Sequence, residues 1–98
     1  MAKTFRVKSR VWLYPGEAAW YFVNVDKKQS ERIREMQAGK MRRGFGSVHV
    51  KATIGKTTWS TSIFPDKQSG TYLLPLKAAV RRAEGLDTGD PIAFILEI

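Results

Sequence analysis

Apolar and polar residues alternate near the start of the chain. Phe5, Val7, Val11 and Leu13 fall on one side, and Arg6, Lys8, Arg10 and Trp12 on the other. A period of two predicts a half-buried strand over Phe5 to Leu13. Pro15-Gly16 suits the centre of a type II turn, and Ala18 to Val25 reads as the returning strand, rich in aromatic and β-branched residues. Its run is apolar on both faces, which predicts a central position or cover by a helix.

The period then changes. Ser30 is a candidate helix N-cap, with Glu31 in the first turn, Ile33 and Met36 facing inward, and Gly39 as the stop. Lys40 to Gly46 reads as a basic, glycine-bearing loop. Ser47 to Ile54 and Thr57 to Phe64 form the clearest hairpin, because Gly55-Lys56 is a two-residue connection. That loop length sets the register. Ile54 faces Thr57, Ala52 faces Trp59, Val50 faces Thr61 and Val48 faces Ile63, while His49, Lys51, Thr53, Thr58, Ser60 and Ser62 share the polar face.

Pro65 to Gly70 is a turn by composition, and Thr71 to Leu74 a short apolar strand. Pro75 is read as opening a helix, where its missing N–H costs nothing, with Leu76, Ala79, Val80, Ala83 and Leu86 as the buried stripe and Gly85 as the end. Asp87 to Asp90 is a second turn and Pro91 to Ile98 a final strand. The order predicts one domain over residues 1–98: mostly β, a small barrel or pseudobarrel of about six strands with two short capping helices.

Composition narrows the chemistry. The 98 residues contain no cysteine and one histidine, which excludes disulfides, thiolate metal sites, cysteine nucleophiles and multi-histidine metal clusters. No stretch has the length of a signal peptide core or a membrane span, so a cytoplasmic protein without a membrane partner is expected. Lys and Arg number 17 against 9 Asp and Glu, a net charge of +8. That balance suits nucleic acid or another anionic partner.

Several blocks together resemble an uncharacterised prokaryotic family. Trp20-Tyr-Phe-Val23, Gly44-Phe-Gly-Ser-Val48, Ala52-Thr-Ile-Gly55, Thr57-Thr-Trp59, Thr61 to Lys67 and Tyr72 to Leu86 resemble, in order, the domain of unknown function numbered 1905. Asp26, Phe45 and His49 depart from residues common in that family, which are Pro, Trp and Pro respectively. The stretch Leu74-Pro75, Arg81 or Arg82, Gly85-Leu86 and Gly89-Asp90 is also similar to the AbrB-type swapped-hairpin half. The resemblance implies a double-split β-barrel. AbrB-type barrels are assembled from two short halves; this chain is about twice one half, which implies closure within a monomer. Relatives joined to bacteriocin-protection domains imply a stress or envelope-related context.

Candidate chemistry is sparse. His49 and Ser62 should lie opposite each other, but a nucleophile needs an orienting acid and an oxyanion hole, and a solvated polar sheet face accounts for the pair. Asp66, Asp87 and Asp90 sit in turns, where aspartate stabilises local backbone bonds. Gly44-Phe45-Gly46 lacks the length and the following Lys-Ser or Lys-Thr of a phosphate loop. No catalytic residue, metal ligand or cofactor is expected, and the chain is read as not an enzyme. The basic residues form three groups: Lys3, Arg6, Lys8 and Arg10 beside Trp12; Lys40, Arg42 and Arg43; and Lys77, Arg81 and Arg82. The last two groups are the candidate nucleic-acid contacts, and Trp20, Tyr21, Phe22 and Trp59 are expected in the core. A non-enzymatic nucleic-acid-binding module is therefore the first expectation. The alternative is a barrel that takes a small ligand or a protein.

Overall fold

The computed structural model describes residues 3–16, 19–38 and 46–98. Seven strands and two helices follow the chain as β1 (Thr4–Arg10), β2 (Trp12–Tyr14), β3 (Trp20–Asn24), α1 (Lys27–Gln37), β4 (Val48–Ile54), β5 (Thr57–Asp66), β6 (Thr71–Pro75), α2 (Ala78–Glu84) and β7 (Pro91–Glu97). The strands form one antiparallel sheet in the order β1-β7-β4-β5-β6-β3-β2. β1 and β2 occupy its two opposite edges, yet only Val11 separates them in sequence. A single residue cannot cross a flat sheet of seven strands, so the sheet must curl until its edges meet. Accordingly, β1 packs against β3, and Val11 exchanges backbone bonds with the turn before β7 (Val11 N to Asp90 O, 3.0 Å; Gly89 N to Val11 O, 2.7 Å). The result is the expected mostly-β, barrel-like fold with two short helices.

The core fills the inside of the curl. Phe5 and Val7 from β1, Val50 and Ala52 from β4, and Phe94 and Leu96 from β7 are buried on the inward face. Ile33 of α1 and Val80 of α2 close onto the same cluster. The β4–β5 register is the one the two-residue turn dictates, from Ile54 opposite Thr57 to Val48 opposite Ile63. Gly55 holds that turn with a φ of +57°, a backbone conformation that side chains disfavour.

Four local expectations are corrected. The first strand breaks at Val11 because the chain there passes from one sheet edge to the other, and Leu13 beyond it is exposed. β5 runs through Pro65 to Asp66 instead of stopping at Phe64, with Pro65 paired to Tyr72. Phe64 and Asp66 have the parity that bonds β6, so the absent N–H of Pro65 points away from that ladder. Pro75 is the last residue of β6, not the first of a helix, and α2 begins at Ala78. In this short helix Val80 is buried and Leu86 beyond it half-buried, while Ala79 and Ala83 are exposed.

Ser30 is not the cap of α1. Asp26 is, accepting from the Gln29 N–H at 2.8 Å. Aspartate is as strong a cap as serine, and here the helix begins one turn before Ser30, while the Gln29 side chain donates to the Arg6 carbonyl. Ser30 is instead fully buried on the inward side of α1. Its hydroxyl donates to the Val25 carbonyl and accepts from the Tyr72 N–H, both at 3.0 Å, tying the helix to the end of β3 and to β6. The expected stop at Gly39 lies outside the described residues; the helix ends at an extended Ala38.

Candidate functional site

Strand parity determines what the outer surface presents. Odd-numbered residues of β1 turn inward, so Arg6, Lys8 and Arg10 all project outward and are exposed. The parity survives the break at Val11. Trp12 and Tyr14 continue the outward series on β2, and the register places them opposite Phe22 and Trp20 of β3. Their rings touch: Trp12 to Phe22 centroids are 5.3 Å apart, Trp20 to Phe22 6.1 Å, and Tyr14 to Phe22 6.2 Å in an edge-to-face arrangement. One outward row thus passes from three cations to an aromatic cluster.

Trp12 is also held by hydrogen bonds. Its indole N–H donates to Asn24 Oδ1 at 2.6 Å, and Asn24 Nδ2 donates to Thr71 Oγ1 at 2.9 Å. Ser69 links Thr71 to the Asp66 carboxylate at 2.7 Å on each side. The relay spans β2, β3, β6 and the turn after β5.

The aromatic residues expected in the core divide. Phe22 is buried, Tyr21 and Trp59 are half-buried, and Trp20 is 58% exposed. The correction has a topological cause: Trp20 lies on the outward parity of β3, while among the described residues α1 packs on β6 and α2 on β5. The apolar run on both faces of β3 reflects this exposed cluster, although β3 is also internal to the sheet as expected.

The basic groups do not all meet. Lys40, Arg42 and Arg43 lie outside the described residues. Lys77 and Arg82 are exposed on and beside α2, which packs on β5, three strands from β1 in the sheet order. Arg81 is half-buried and partly engaged. Its Nε donates to the Leu76 carbonyl at 3.2 Å, and its guanidinium lies 3.8 Å from the centre of the Tyr21 ring. Lys51 of β4 projects outward near β1, across β7.

A groove of about 410 Å³ opens beside α2. Ala19, Trp20 and Tyr21 form one wall and Trp59, Ser60 and Thr61 the other, with Pro75 to Ala78 and Arg81 between them. It exists because β6 stops at Pro75 while its two neighbours continue. A second hollow of about 550 Å³ lies over β1 and β7, lined in part by Arg6, Lys8 and Ala93.

His49 faces Ser62 across the hairpin as expected, with His49 exposed. The turn aspartates serve the backbone: Asp66 accepts from Gln68 and Ser69, Asp87 from Thr88 and Asp90 from Asp87. Among the described residues, no three His, Asp or Glu side chains converge on a possible metal position. Among them, too, no helix is long and apolar enough to cross a membrane.

No curated protein matches the sequence. The model of a family described as a domain of unknown function, DUF1905, matches residues 8–96, nearly the whole length of the sheet just described, and the chain belongs to that family.

Proposed function

We propose that the protein is a non-enzymatic module that binds single-stranded nucleic acid along the outward row of β1 and β2. The observation that carries this reading is the unbroken parity from Arg6, Lys8 and Arg10 to Trp12 and Tyr14. Alternate strand residues repeat at roughly 6.7 Å, a spacing an extended phosphodiester chain can follow. The cations neutralise phosphates and the aromatic cluster offers faces on which bases stack. The net charge of +8 favours encounter with any polyanion and adds to that local pattern. Lys77 and Arg81 line the groove, Arg82 is exposed on α2, and none of them is needed for this row.

Fluorescence anisotropy with oligo(dT) at several salt concentrations tests the reading. Three phosphate contacts on a single strand give a log–log salt slope of about −2. The double variant Arg6→Glu, Lys8→Glu should bring that slope toward about −0.7, the value for one remaining contact. Tyr14→Ala should weaken binding about fivefold or more, the loss of one stacked base. Absence of binding at low salt overturns the proposal. The alternative, a barrel that takes a small ligand or a protein, rests on a different feature, the groove beside α2.

A further inference from the structure

We infer that the groove where β6 ends receives an extended acidic peptide of a second protein as an added strand, paired to the free edge of β5. A two-residue turn makes Ile54 and Thr57 a hydrogen-bonded pair, and bonded pairs recur at every second position. Thr57, Trp59, Thr61 and Ile63 therefore exchange bonds with β4, while Thr58, Ser60 and Ser62 direct their N–H and C=O groups to the opposite side. β6 occupies that side only from Phe64 to Asp66. Pro75 has no N–H with which to prolong the ladder, and Leu76 turns away to bond the Tyr21 carbonyl at 2.9 Å.

Ser60 is thus left with its backbone facing the groove. It is exposed, it lines the cavity, and among the described residues no backbone bond outside the ladders reaches Thr58, Ser60 or Ser62. An unpaired strand edge in a cleft flanked by a second strand is a ready template for an extended segment. The walls supply selectivity. Trp59 on one side and Trp20 and Tyr21 on the other offer apolar area for alternate side chains. Among the described residues, Lys77 and Arg81 are the charged residues of the lining, with no carboxylate beside them. An acidic segment complements that charge, and a basic one would be repelled.

The test uses the full chain, ¹⁵N-labelled, titrated with the peptide Glu-Val-Glu-Val-Glu-Val-Glu to about 1 mM, a range that captures weak binding. The Ser60 amide signal should shift and its hydrogen exchange should slow. The same peptide N-methylated at every backbone amide, which cannot donate into a ladder from either edge, should bind at least about tenfold more weakly. Lys77→Glu should weaken the acidic peptide about fivefold, the scale of one exposed ion pair. Ser60→Pro removes only the donor facing the groove and should abolish the shift at Thr61 and Trp59 while leaving the β4–β5 pairs intact. No perturbation at Ser60 overturns the proposal, as does an equal response to the N-methylated peptide. Perturbation by oligo(dT) without any by the peptide overturns it too and assigns the groove to nucleic acid.

Discussion

The two sides of the curled sheet hold together differently. On one side, β1 pairs with β7 from Thr4 to Arg10, and β4 with β5 from Val48 to Ile54, the two being joined by a short ladder of Lys51 to Thr53 with Ile95 to Glu97. Long ladders carry the cohesion there, and the outer face is polar and cationic. On the other side the ladders are short: Trp12 to Tyr14, Phe22 to Asn24, and Phe64 to Asp66. There, side chains make up the difference. Ser30 staples α1 to β6, Asn24 bridges Trp12 to Thr71, and Arg81 sits on Tyr21. The early end of β6 and the unpaired edge of β5 are therefore one feature. Where β6 leaves the sheet early, β5 keeps an unpaired edge, and polar side-chain links fix the geometry of the neighbouring strands.

If that division is right, the side-chain links should matter most where the ladders are short. The largest effect is expected at Ser30. Replacing it with Ala leaves the Tyr72 N–H and the Val25 carbonyl without their partner in a fully buried place. Each unsatisfied buried group costs about 1–3 kcal/mol, so Ser30→Ala should lose about 2–3 kcal/mol in urea denaturation. Ser62→Ala, on the long-ladder side, should stay within about 0.5 kcal/mol. Equal losses at the two serines would erase the distinction.

Gly55 gives the next effect, on the long-ladder side itself. Its φ of +57° costs a side chain about 1–2 kcal/mol. A Cβ there would also run into the Glu84 carboxylate, which accepts from the Thr57 hydroxyl at 2.6 Å. Gly55→Ala should therefore destabilise the chain by about 1–2 kcal/mol. It should also move α2, detectable as a change in the Arg81 and Tyr21 side-chain signals. A stability loss with no change in those signals would mean that α2 is positioned independently of the hairpin turn.

Local rules suffice for part of the fold. The hairpin register followed from a two-residue connection, and Gly85 ends α2 in the left-handed conformation as its position implied. Those rules do not reach a residue whose role depends on distant partners. Ser30 has the chemistry of a cap, but its worth lies in Tyr72, 42 positions away in the chain. Asp26 carried a readable signal, since aspartate caps as strongly as serine. Trp20 illustrates a second limit: aromatic residues bury large areas on average, but outward parity on β3 overrides the average. Of the candidate nucleic-acid residues, Lys77 and Arg81 line the groove, and Arg82 is exposed on α2. The cations that form a row with exposed aromatics were those of β1. No periodicity shows that β6 stops short of its neighbours, although Pro75 between Leu74 and Leu76 holds the reason.

The smallest effect probes the junction of the two sides, at Trp12. This residue directly follows Val11, where the chain crosses from one edge of the sheet to the other. Its indole is oriented by Asn24, not by a ladder partner alone. Asn24→Ala removes one half-buried bond to Trp12 and one to Thr71, a net loss of about 1 kcal/mol because water can replace part of each. The ring contact with Phe22 at 5.3 Å should persist, so the ring stays on the outer face but gains freedom to tilt. Tryptophan emission should shift to the red. Oligo(dT) affinity should fall by less than the about fivefold expected for Tyr14→Ala, since a stacking face is loosened without being removed. A larger fall would show that the indole's orientation, more than the aromatic area itself, sets the binding surface.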